Sequence, residues 1–224
     1  MNRRAARLGL LILAIAGWMR EAPVRADDEP DWRELQNSPH DLGWVLIRTD
    51  KLRHINIFSK IEEGRRLRSM KAEAELDASV TQVTRVLTDF SGFTGWLWNL
   101  KSITVLRQVS AEEFLLHLVF RTPGGLPDRD VVLRYQIQTS LNPPVTLIQA
   151  QDVPGFPANA TEAVRIPDMN LSLRIEAAEH GRSRFSSQLL VDPGGQVPLW
   201  AANFVQRRAP YATMLGLIRV LGGS

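Results

Sequence analysis

The chain has 224 residues, with 27 Lys and Arg against 24 Asp and Glu, a formal net charge of +3, four histidines and no cysteine. The lack of cysteine excludes disulfides and thiolate metal sites. Beyond residue 26 the balance is 22 basic residues against 23 acidic ones, so a nucleic-acid partner, which needs a basic stripe, is not expected.

Arg3, Arg4 and Arg7 precede an apolar run from Leu8 to Trp18, and Val24-Arg25-Ala26 offers a small-residue cleavage site. Residues 1–26 therefore have the layout of a secretory signal peptide, and the run is too short for the ~20 residues of a membrane-spanning helix. An exported chain, periplasmic or secreted, is expected. Residues 27–224 suit one domain able to bury roughly 70% of its unfolded surface.

Asp31 is expected to cap a short helix to about Asn37. Strands are predicted at 44–48, 55–58 and 70–76. The last, Met70-Lys71-Ala72-Glu73-Ala74-Glu75-Leu76, alternates apolar against charged, the mark of an antiparallel sheet with one wet face. Asp77 or Ser79 then caps a helix whose Val80, Val83, Val86 and Leu87 form one apolar stripe. The aromatic and glycine-rich stretch from Phe90 to Trp98 is placed at a cavity mouth or wall.

Further strands are predicted at 102–108, 113–121, 130–139, 145–151, 170–176 and 183–191. Alternation puts Phe114, Leu116, Leu118 and Phe120 on one side of their strand and Val131, Leu133, Tyr135 and Ile137 on one side of the next; Leu171, Leu173 and Ile175 form a third such stripe. His117 falls on the opposite face, where it is expected to meet solvent. Two Pro/Gly-rich connections, 122–128 and 152–168, are candidate lids. Asp192-Pro193-Gly194-Gly195 reads as a tight turn, and Pro198 stands near the first turn of a closing helix that runs to Leu221. On that helix Trp200, Phe204, Tyr211, Leu215 and Ile218 recur near helical spacing, and Pro210 is expected to bend it.

Three strands, a helical interruption, six strands and a long final helix describe an α+β domain in which a curved antiparallel sheet grips the helix. With Asp128-Arg129-Asp130-Val131-Val132 entering a strand after a Pro/Gly loop, and Asp192-Pro193-Gly194-Gly195 with Pro198, Trp200 and Asn203 opening the last helix, the chain resembles the StAR-related lipid-transfer (START) domain over most of residues 31–222. The resemblance implies the helix-grip fold with an internal hydrophobic tunnel. It also implies binding and transfer of a lipid or other hydrophobic small molecule, and a gate made by residues 121–128 and the C-terminal helix.

Residues expected at such a site are Trp96, Trp98, Leu116, Leu118, Phe120, Arg129, Leu133, Tyr135, Leu173, Trp200, Asn203, Phe204 and Tyr211. Arg129 is read first as structural, with the flanking Asp128 and Asp130 as local partners for its guanidinium. Arg207 and Arg208 are read as a solvated helix face or, with Trp96 and Trp98, as a rim for transient membrane contact. The histidines at 40, 54, 117 and 180 show no metal-ligand spacing, and neither a Gly-x-Ser-x-Gly elbow nor a phosphate loop is present. No catalytic residue, metal or cofactor is expected, and the chain is expected to be a monomeric carrier. The alternative is a polyketide cyclase/dehydratase-like enzyme using the same cavity, with Tyr135, Arg129 and Asn203 as its candidate polar cluster; an interaction protein whose pocket is filled by its own side chains is a third reading.

Overall fold

Period-two alternation builds the strands close to where the sequence places them. The computed structural model describes residues 43–63, 68–157 and 162–223; the leader at 1–26 and the helix expected at 31–37 lie outside them. The strands are β1 (Val45–Asp50), β2 (Ile55–Ile61), β3 (Arg68–Leu76), β4 (Leu100–Gln108), β5 (Glu113–Phe120), β6 (Arg129–Leu141), β7 (Pro144–Asp152), β8 (Val164–Arg165), β9 (Asp168–Ala177) and β10 (Ser183–Asp192). They form one curved sheet in the order β1-β2-β3-β10-β9-β7-β6-β5-β4 with every neighbour antiparallel, and the two-residue β8 pairs in parallel with the start of β6.

Both edge strands carry bulges, between Leu46 and Arg48 on β1 and between Leu100 and Ser102 and again Val105 and Arg107 on β4. A bulge twists an edge away from further pairing and helps the sheet to curl. The inner face carries Ile55, Ile57, Ala72, Ala74, Leu116, Leu118, Leu133, Ile148, Ile175 and Phe185, all buried.

Helix α1 (Val80–Thr88) starts at Ser79, not Asp77, because Ser79 and Gln82 close a reciprocal capping box. It buries Val80, Val83 and Leu87, and the Thr84 and Thr146 hydroxyls meet at 2.7 Å to tie it to β7. A 3-10 turn, Phe90–Gly95, follows, with Phe90 and Phe93 buried.

Helix α2 (Leu199–Gly222) runs without interruption through Pro210. It packs against β2, β3 and α1, where Ala72 and Ala74 leave room for it. Its fully buried residues are Ala201, Met214, Gly216 and Leu217, while Tyr211, Leu215 and Ile218 are half-buried and Trp200 and Phe204 exposed. The buried stripe is therefore rotated from the one the spacing suggested, because the helix is apolar on nearly every side and periodicity alone does not choose a face.

The turn before α2 depends on its glycines. Gly194 and Gly195 hold φ of +65° and +62°, and a Cβ on Gly194 would lie 2.5 Å from the Arg165 carbonyl oxygen.

Candidate ligand-binding site

The stripes expected to face inward do so together. Leu116, Leu118, Leu133, Tyr135 and Leu173 are buried on the inner face, and beside them Phe120, Leu171, Leu189 and Val191 are only half-buried. Period-two register fixes this: Leu171 pairs with Leu189 and Ala150, and Val191 with Met169. An apolar stripe with accessible surface thus runs along the inner face of the sheet.

One end of that face is aromatic. Phe90 meets Phe93, Phe114 and Tyr135 edge-on with centroids 5.0–5.5 Å apart, and Phe93 meets Trp96 at 5.0 Å. The Tyr135 hydroxyl donates to the Leu87 carbonyl at 2.8 Å, and burial pushes its pKa up. Its proton is thereby committed to the end of α1. Trp96, Leu97 and Trp98 line a crevice of about 340 Å³ with Ala212, Leu215, Gly216 and Arg219 of α2, so the aromatic stretch forms a wall against the helix.

The first half of α2 is held differently. Leu199 and Trp200 are 76% and 54% exposed, the Trp200 ring lies over Gly124 of the 3-10 turn Pro123–Gly125, and Phe204 faces Trp98 at 6.4 Å. Asn203 is half-buried on the same half. Tyr211 is set apart: it donates to Asp50 Oδ2 at 2.8 Å, and Arg48 stacks on its ring at 3.4 Å. The Tyr211 hydrogen bond, with help from Arg53, holds the Asp50 carboxyl down at about 2.

Arg129 is buried, and its partners differ from those expected. It donates to the carbonyls of Pro193 at 2.8 Å, Pro127 at 2.5 Å and Gly194 at 3.4 Å, so it fastens the turn before α2 to the start of β6. Asp128 pairs instead with Lys101 at 2.7 Å, and Asp130 accepts from Arg165 at 2.9 and 3.1 Å.

Asp130 also lies 2.9 Å from His117 Nε2. His117 is therefore on the outer face, as alternation requires, but buried rather than exposed to solvent. Burial alone would raise the Asp130 carboxyl; the bonds from Arg165 and His117 outweigh it and lower its pKa. Missed from the sequence were Arg165, brought to Asp130 by β8 pairing beyond the end of β7, and Gly216, against which a Cβ would sit 2.1 Å from the Trp96 carbonyl oxygen. A glycine inside an apolar helical run was the available signal for the second. Among the described residues no group of three or more His, Asp or Glu is placed to hold a metal.

The chain has the helix-grip fold of the START domain. It is similar to a StAR-related lipid transfer protein fragment from Xanthomonas axonopodis, with a TM-score of 0.71, 23% identity and coverage of 80% of this chain and 98% of that one. Human StAR-related lipid transfer protein 5 superposes with a TM-score of 0.72 at 11% identity, over 86% of this chain and 92% of the other. In sequence, an uncharacterized protein of Pseudomonas aeruginosa is 20% identical over 174 residues, 78% of this chain and 84% of that protein. No protein-family model matches.

Proposed function

We propose that this protein is an exported, non-catalytic carrier that binds one lipid or other hydrophobic small molecule between the sheet and α2. Residues 121–128 and the first half of α2 form its gate. The observation that carries this reading is the half-buried apolar wall of Phe120, Leu171, Leu189 and Val191 on the inner face of the sheet, beside a helix whose first half exposes Leu199, Trp200 and Phe204. Burying an acyl chain there is worth about 0.8 kcal/mol per methylene, so exchange needs the gate to open.

The names of the two solved neighbours, both lipid-transfer proteins, support the ligand class. Leu199, Trp200 and Phe204 are exposed apolar side chains at the gate, with the Arg208 guanidinium 5.1 Å from the Phe204 ring centroid. That combination suits brief contact with an anionic lipid surface.

Native mass spectrometry of the protein purified from cells, followed by solvent extraction, tests the reading. A co-purifying lipid near unit stoichiometry is expected. A protein that is empty and takes up nothing from a mixed lipid panel would refute it.

A further inference from the structure

Two buried side-chain polar atoms among the described residues have no hydrogen-bond partner, the Trp96 indole Nε1 and the Ser183 hydroxyl. Ser183 is the first residue of β10, opposite Leu76 and Ala177 at the end of the sheet, and its hydroxyl turns freely about its bond. The indole N–H has no such freedom. It is a donor only, and its direction is fixed by the ring.

Trp96 is 8% exposed, packed edge-on against Phe93, with Gly216 of α2 against its carbonyl. A phenylalanine at this position would meet the same aromatic neighbour without burying a donor. A buried donor with no acceptor bears its desolvation cost with no return, and native interiors keep few such groups without a use for them. Tyr135, the other member of this aromatic cluster with a polar tip, already donates its hydroxyl hydrogen bond to the Leu87 carbonyl. The donor left over at the aromatic end of the site is therefore Trp96.

We propose that the Trp96 indole N–H anchors the bound molecule, and that the ligand is a lipid carrying an acceptor oxygen of ester, ketone or amide type within its apolar body. This rests on the carrier reading above. Apolar burial supplies the affinity, and the single donor selects against a plain hydrocarbon and fixes how far the chain enters. Trp96 also lines the crevice against Leu215 and Gly216, on the half of α2 that stays seated.

The test uses two probes of similar length delivered from cyclodextrin to the 15N-labelled protein, methyl laurate and n-tetradecane. The Trp96 indole signal is assigned through its contacts with the Phe93 ring and by its loss in Trp96→Phe. Methyl laurate is expected to move that signal downfield and to bind about fivefold to tenfold more tightly than the alkane, the worth of one net hydrogen bond. Trp96→Phe is expected to erase the difference between the two probes.

Equal binding of both probes to the wild type, with the Trp96 signal unmoved by the ester, would overturn the proposal; this result needs no variant to fold. Binding of neither probe would instead overturn the carrier reading, and the anchor with it.

Discussion

Replacing Gly216 by alanine sets helix propensity against packing, and the structure decides the sign. In a solvent-exposed helix the change would stabilise by about 1 kcal/mol. Here the added Cβ would lie 2.1 Å from the Trp96 carbonyl oxygen and 3.0 and 3.2 Å from its carbonyl carbon and Cα. All three are backbone atoms, so no rotamer change relieves the clash and α2 must move off the aromatic segment. Overpacking of this kind costs about 1–3 kcal/mol, and the lost contact of Met214 and Leu217 adds to it. A net loss of about 1–2 kcal/mol lowers Tm by roughly 2–8 °C for a domain of this size. Gly222→Ala is the control, on the same helix with nothing within 4 Å of the new methyl, and is expected to be neutral or slightly stabilising. Urea and thermal unfolding followed by circular dichroism of both variants give the answer. A Gly216→Ala protein as stable as wild type would refute the claim that α2 is seated on the Trp96 backbone.

Three further variants probe the groups that hold this arrangement. Asp130→Asn removes the carboxylate shared by Arg165 and His117 and is expected to cost about 2 kcal/mol at neutral pH, as charged hydrogen bonds do. Because the folded carboxyl titrates below its ordinary value of 3.8, that stability is present above pH 4 and fades as pH falls through the lower folded value; a difference from wild type that grows on acidification would contradict it. Tyr211→Phe is expected to let the Asp50 carboxyl rise from about 2 toward 3.8, read by NMR titration, and an unmoved titration would show that Arg53 alone sets it. Pro210→Ala restores a backbone N–H in mid-helix, where proline costs ~3 kcal/mol in ordinary helices. It is expected to slow lipid exchange several-fold in a vesicle transfer assay, and unchanged rates would exclude flexing at this residue.

Most of the sheet was legible because its strands alternate on one wet and one dry face, as in the Met70–Leu76 stretch, and because turn residues punctuate them. The capping signal at Ser79 and the Gly194-Gly195 turn were legible for the same reason: each residue type answers a local backbone demand. What was not legible depends on contacts between distant parts of the chain. Arg129 was given its sequence neighbours as partners, yet it binds carbonyls 64 and 65 residues away, while Asp130 takes an arginine 35 residues away. His117 showed its face but not its burial, since alternation says which side a residue is on and nothing about what covers that side. On α2, apolar residues occur around the whole helix, so the seat at Gly216 and the exposure of Trp200 and Phe204 follow from packing alone.

The two halves of α2 are held by contacts of different kinds, and that bounds how the proposed gate moves. Beyond Pro210, Tyr211 bonds to Asp50, Gly216 lies on the Trp96 backbone and Arg219 donates to the Gly95 carbonyl at 3.0 Å. Before Pro210, Trp200 over Gly124 and Phe204 against Trp98 are aromatic contacts that separate without breaking a hydrogen bond. The turn ahead of the helix is itself fastened, since Arg129 grips the Pro193 and Gly194 carbonyls and Gly194 packs on Arg165. Only Gln196, Val197 and Pro198 link that fixed turn to Leu199, and three extended residues span at most about 10 Å. In the proposed gate the start of α2 would therefore lift as a short flap held at the Gly194 turn and at Pro210. Such a movement would leave the sheet and the second half of the helix in place.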